Sequence, residues 1–120
     1  IHGDLFPDNV LGSNEKVWAL LDFEEVCHDI LAFDLVMTFV GFGWKNGEPV
    51  TERWKSLLDG YQSVRVLSDA EINALPDLHR LATLSIAAWR YWQFVINLPN
   101  TKHTNRYIEM TDRLDKKLPF

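Results

Sequence analysis

His2-Gly3-Asp4-Leu5-Phe6-Pro7-Asp8-Asn9, followed by Leu20-Leu21-Asp22-Phe23-Glu24, is the stretch on which the fold turns. Asp4 and Asn9 stand five positions apart, and Asp22 follows thirteen positions after Asn9. Pro7 disfavours helix at Phe6 and fixes the local path, so Ile1–Asn9 reads as a rigid loop. Val10-Leu11 and Val17–Leu21 are short apolar runs on either side of the turn-forming Gly12-Ser13-Asn14-Glu15-Lys16. Two such runs around such a turn predict a small antiparallel hairpin. Asn9 enters its first strand and Asp22 leaves its second. The hairpin therefore carries both oxygen-bearing side chains to one rim, beside the loop that holds Asp4.

Beyond the hairpin the pattern is helical. Asp29 reads as the N-cap of a helix to about Gly41, apolar all round and hence buried, with Asp34 inside it. Gly41–Gly47 reads as a break. A helix is then expected from Pro49 to about Val64, with Trp54, Leu57, Leu58 and Tyr61 on one face. Ser68-Asp69-Ala70-Glu71 has the form of a capping box, with Pro76 interrupting or restarting the helix it opens. From Asp77 a long helix is expected to about Asn97, with Leu78, Leu81, Ala82, Ser85, Trp89, Trp92 and Ile96 along its apolar stripe. Trp89 and Trp92 are assigned to the core on that spacing. The other reading puts Trp89, Tyr91, Trp92 and Phe94 around a pocket, with Arg90 among them. After Pro99 a last amphipathic helix is expected over about Thr101–Lys117, and the basic start made by Lys102, His103 and Arg106 reads as a solvated face. The fold class is α+β, mostly helical: a loop and a small hairpin followed by four or five helices.

The chain has 120 residues, 47% of them hydrophobic, with five Trp and seven Phe, enough apolar surface for one core. It reads as one domain, with 1–28 forming the loop, hairpin and metal-binding segment and 29–120 a helical subdomain. The net charge of −5 is uneven, because residues 1–34 hold eight acids against one base, Lys16. Such a cluster attracts cations and repels nucleic acid. Cys27 is the single cysteine, so a disulfide framework is excluded and a reducing, cytoplasmic compartment is expected. No apolar stretch has spanning length, so no membrane partner is expected, and the acidic cluster argues against nucleic acid.

Asp4, Asn9 and Asp22 are the residue types that phosphoryl transfer requires: a carboxylate to take a hydroxyl proton, and two hard oxygen donors for magnesium. His2 is assigned to structural hydrogen bonding, and Gly3 to backbone freedom. Asp8, Glu24 and Glu25 are candidates for the neighbourhood of the metal or of a cationic substrate.

Residues 2–11 together with Leu21-Asp22-Phe23-Glu24 resemble the aminoglycoside phosphotransferase/choline kinase group of small-molecule kinases, which have a protein-kinase-like fold. Leu5-Phe6-Pro7-Asp8-Asn9-Val10-Leu11 is most similar to the homoserine-kinase-like branch. The resemblance is sharp over residues 1–35 and general beyond them. It implies the C-terminal lobe of such a kinase, with Asp4 as base and Asn9 and Asp22 as magnesium ligands. Asp34 matches an aspartate that supports the catalytic loop. The implied partners are ATP, as co-substrate with magnesium, and a small hydroxyl acceptor: a homoserine-like amino alcohol, choline or ethanolamine, a sugar, or an aminoglycoside. Many members have His where Phe6 stands and Gly where Asp8 stands, a departure that argues against an aminoglycoside. The family's Gly-rich loop and nucleotide-anchoring lysine are expected upstream of Ile1. The chain then reads as a fragment without its nucleotide-binding lobe, inactive alone and prone to self-association through the uncovered apolar surface. A second reading makes it a truncated or degenerate kinase-like lobe that serves as a binding or structural module.

Overall fold

The computed structural model describes residues 1–13 and 16–120. The proposed turn around Asn14 and Glu15 lies outside the described residues. Its flanks form the expected hairpin, β1 (Val10–Ser13) antiparallel to β2 (Lys16–Leu20), with Val10 opposite Leu20 and a bulge after Leu11. Beyond the ladder, the Leu21 N–H donates to the Asn9 carbonyl at 2.9 Å, so the pairing continues to the residue before Asp22.

The core is built around α1 (Leu31–Phe42). Ala32, Leu35, Val36, Met37, Phe39 and Val40 are all buried, as expected of a helix apolar on every side. This helix packs against α2 (Thr51–Gln62) and α3 (Asp69–Tyr91), and α3 packs in turn against α4 (Arg106–Thr111). Trp54 is buried on the expected face of α2, with Leu57, Leu58 and Tyr61 packed around the core. At the centre the Phe39 ring meets Trp54 and Phe120 edge-on, with centroids 5.2 and 5.8 Å away. Gly43 ends α1 because nothing larger fits: a Cβ there would land in the Phe39 ring.

Several expected boundaries move. Asp29 is not the cap of α1. Its Oδ1 accepts from the adjacent Ile30 N–H at 2.7 Å, and Ile30 takes the N-cap position. Pro49 does not begin a helix. It closes a second hairpin, β3 (Trp44–Lys45) with β4 (Glu48–Pro49), whose turn places Asn46 and Gly47 at φ 53° and 78°. Asn-Gly between strands is a strong hairpin signal, because both positions accept positive φ. It stood in the stretch read as a break.

Pro76 neither breaks nor restarts α3. The capping box forms, with the Glu71 N–H donating to Ser68 Oγ at 3.3 Å and the Ser68 N–H to Glu71 Oε2 at 2.9 Å. Leu75, Leu78 and His79 are buried on either side of the proline. Packing of that face outweighs the one backbone bond that proline removes. The buried stripe of α3 is Leu75, Leu78, His79, Ala82, Thr83, Ala87 and Arg90, a step away from the stripe drawn from apolar residues alone. Trp89 and Trp92 are consequently 55% and 52% exposed, not core. The helix continues through a π-helical turn, Trp92–Asn97, to the expected end. The last helix is short. Only Arg106–Thr111 is regular, with Met110 and Arg113 buried and Leu118 packed against the core.

The end of α1 is buried, so its carbonyls need partners from elsewhere in the chain. Arg113 donates from Nη1 to the Val40 carbonyl at 2.8 Å and from Nη2 to Glu109 Oε1 at 2.7 Å. Its guanidinium lies 4.7 Å from the centre of the Trp44 ring. Arg53 donates to the carbonyls of Phe42 and Trp44 at 2.8 and 3.0 Å. Both place positive charge at the negative end of the helix dipole. Arg113→Met keeps the bulk but orphans the Val40 carbonyl, and is expected to cost about 3 kcal/mol in a urea titration.

His79 is buried among Phe39, Trp44 and Phe120, and its Nε2 has no hydrogen-bond partner among the described residues. Burial, with a smaller contribution from Arg113, pushes the imidazole down to about 4 from its usual 6.5. The folded state therefore binds fewer protons than the unfolded one. Stability is retained above pH 6.5 and lost as the pH falls towards 4. The loss from this group is up to about 3 kcal/mol. Denaturant titrations at about pH 7.5 and about pH 4.5 should show a clearly smaller acid loss for His79→Phe than for the wild type.

Candidate active site

The loop before β1 is held from behind. The Asp34 carboxylate, in the first turn of α1, accepts from the Gly3 N–H at 2.9 Å through Oδ1 and from the His2 N–H at 3.1 Å through Oδ2. The His2 ring is buried and bridges two segments. Its Nε2 lies 2.9 Å from the Leu21 carbonyl, and its Nδ1 accepts from the Asp4 N–H at 3.3 Å. Those two bonds select the tautomer with hydrogen on Nε2. Gly3 has φ 83°, and a Cβ there would press on the Glu25 carbonyl at 3.0 Å. Only glycine passes that crossing without strain.

Asp4 emerges from this braced backbone. Asn9 Nδ2 donates to Asp4 Oδ2 at 3.1 Å and to the Asp4 carbonyl at 2.9 Å. With Nδ2 committed there, Oδ1 is the lone-pair atom Asn9 has left for a cation. Asp22 follows the end of β2 in a left-handed conformation, φ 59°. That is an uncommon backbone state for a residue with a side chain, and such states cluster at functional sites.

Asp4, Asn9 and Asp22 all line one cleft of about 730 Å³. Gly3, Asp8, Glu24 and Glu25 line it too. His2 and Asp34 stay behind the loop. The opposite wall comes from α3 and the segment after it: Ser85, Ile86, Trp89, Arg90 and Phe94, with Arg106 from the start of α4. Of the residues in the pocket reading, Trp89, Arg90 and Phe94 line the cleft, which replaces the core reading of Trp89, while Tyr91 and Trp92 do not line it. Arg106 is not simply a solvated charge. The missed signal was the offset of the stripe on α3: with His79, Thr83 and Arg90 counted as inward-facing, Trp89 turns to the cleft.

Burial raises the Asp4 carboxyl above its usual 3.8, and the negative charge of Asp8 adds to it; the Asn9 hydrogen bond opposes the rise. The cleft therefore combines a carboxylate of increased proton affinity with two hard oxygen donors at neighbouring strand ends. Among the described residues no three His, Cys, Asp or Glu side chains converge tightly enough to hold a metal by themselves. Asn9 and Asp22 are chemically suited to a hard divalent cation, whose other ligands would be oxygens of a second molecule or water.

Comparison with known sequences identifies the family. The model of the phosphotransferase enzyme family matches residues 1–67, which contain the whole loop, the hairpin and Asp34. The homoserine kinase of Rhizobium johnstonii is 41% identical over 96 residues, covering 79% of this chain and 30% of that protein. The homoserine kinase of Agrobacterium fabrum is 40% identical over 96 residues, with the same coverage. That of Gluconobacter oxydans is 39% identical over 100 residues, 82% of this chain and 31% of the relative. The chain spans about 30% of the length of these curated relatives. With its loop, hairpin and first helix inside a match that takes in more than half of its residues, the chain belongs to the phosphotransferase enzyme family.

Proposed function

We propose that this chain carries the acceptor- and metal-binding half of an ATP-dependent, magnesium-requiring kinase that phosphorylates a hydroxyl of a small metabolite. The observation that supports this most is the meeting of Asp4 and Asn9, from the loop, with Asp22, from beyond the hairpin, on one cleft. Homoserine is the first acceptor to test, because the similar curated proteins bear that name. In this reading the acceptor hydroxyl lies against the Asp4 carboxylate. As its oxygen forms a bond to the γ-phosphorus of ATP and the bond to the bridging oxygen breaks, its proton passes to Asp4. Asn9 Nδ2 keeps that carboxylate aimed into the cleft. Magnesium, when bound, would neutralise charge on the phosphate oxygens, and Asn9 Oδ1 and the Asp22 carboxylate are the atoms that would hold it. Asp34 and His2 fix the loop, and Asp8, Glu24 and Glu25 supply the negative field around metal and acceptor.

The same reading gives a role to an apolar band. Val17, Trp18, Leu20, Phe23, Val26 and Ile30 are exposed along β2 and the segment after it. We assign this band to contact with a nucleotide-binding portion of a longer polypeptide in a cytoplasmic enzyme. The 120-residue chain alone should then self-associate, and a monomeric mass by light scattering at high concentration would count against that assignment.

Asp4→Asn, made in the product of the complete reading frame, should lower kcat by roughly 10²–10⁴-fold in an ADP-release assay. Turnover close to that of the wild type would sink the proposal. The same substitution should leave the protein as stable or more stable at neutral pH. A raised folded-state value means that Asp4 favours the fold only at low pH, and loses that contribution as the pH rises through it. The advantage of the variant in thermal melts should therefore disappear below 3.8, the ordinary value of the carboxyl.

A further inference from the structure

The far wall of the cleft carries positive charge, and its disposition is specific. Arg90 is buried, with its side chain only 10% exposed. It donates from Nη1 to Glu109 Oε2 at 2.9 Å and to the Arg106 carbonyl at 3.1 Å. Glu109 is also bound by Arg113 at 2.7 Å, so two arginines saturate its carboxylate, and against the cost of burial they hold it below the usual range. Arg106, a turn before Glu109, gets no share. Its backbone is fixed at both ends, by Arg90 on its carbonyl and by its own N–H donating to the His103 carbonyl at 2.9 Å. Among the described residues its guanidinium has no ion-pair partner, yet it lines the cleft that contains Asp4.

We propose that Arg106 is a specificity-determining residue that binds the carboxylate of the acceptor, so that the enzyme takes hydroxylated α-amino acids in preference to choline, ethanolamine, sugars or aminoglycosides. This rests on the phosphotransferase reading above and narrows it. A guanidinium presents paired N–H donors that match a carboxylate in a planar fork. The exposed face of Trp89, with Phe94 edge-on to it at 5.8 Å, lines the same wall and lowers the local dielectric, which strengthens such a pair. The acid-rich side of the cleft, with Glu24 and Glu25, complements an ammonium group. A zwitterion with a hydroxyl uses both charges and reaches Asp4. A purely cationic acceptor would meet Arg106 as a like charge, and a neutral sugar would leave it unpaired.

The test compares homoserine with 3-aminopropan-1-ol, which is homoserine without its carboxylate. Both are assayed on the product of the complete reading frame, as wild type, Arg106→Gln and Arg106→Lys. Homoserine binding is also measured by calorimetry. For homoserine, Arg106→Gln should raise KM and Kd roughly 10- to 100-fold, with kcat nearly unchanged and partial recovery in Arg106→Lys. For 3-aminopropan-1-ol the same variant should change KM little. An equal effect on both acceptors, or an unchanged homoserine Kd in Arg106→Gln, would overturn the proposal. If wild type binds homoserine through Arg106 but transfers no phosphate, the kinase reading fails while this one stands. If it phosphorylates acceptors with no dependence on Arg106, the kinase reading stands and this one fails. Arg106 is an exposed side chain, so the variants should melt with the wild type, which separates lost binding from lost folding.

Discussion

The carboxylate of Asp34 accepts two consecutive backbone N–H groups, those of His2 and Gly3, and this pair of bonds ties the loop to the core. Asp34 stands in the first turn of a helix with an unbroken buried run from Leu35 to Val40, so it has little freedom to move. The loop inherits that rigidity. From there Gly3 can cross the Glu25 backbone, Asp4 can enter the cleft, and His2 can bridge to the Leu21 carbonyl just before Asp22. One buried helix thus fixes, through a single side chain, the mutual placement of a loop and a strand end.

The cleft is costly to maintain. Among the described residues five carboxylates line it, and the rise of Asp4 reflects burial together with repulsion from Asp8 and Asp22. Asp22 adds an unfavourable backbone conformation. These costs are offset in the helical part, where the aromatic cluster around Phe39 and the buried face of α1 supply the hydrophobic stabilisation. Separation of the two roles is common where function requires crowded like charges.

Around α1 and the cleft arginine has two uses. Arg53 and Arg113 satisfy the carbonyls at the buried end of α1, and Arg90 clamps the start of α4. Arg106 is left over because Glu109 has been taken by its neighbours. The single glutamate therefore determines which guanidinium lines the cleft without an ion-pair partner among the described residues.

The loop, the first hairpin, the buried α1 and the candidate site on Asp4, Asn9 and Asp22 were legible in the sequence because each depends on local chemistry: a Pro-fixed loop, two apolar runs around a turn, and an unbroken apolar helix. The Asn46-Gly47 hairpin is equally local, since both turn positions accept positive φ. The far wall of the cleft could not be read in the same way. Which face of α3 turns inward depends on His79, Thr83 and Arg90 being buried, and a charged group such as Arg90 is buried only when partners from another segment receive it. Thr83 finds the His79 carbonyl within its own helix, but Arg90 finds Glu109 and Arg113 finds Val40, across long stretches of chain. Sequence alone determined the chemical groups and the hairpin that gathers them. Tertiary packing decided which side of α3 meets them, because satisfaction of buried charge is a property of the assembled fold and not of any single segment.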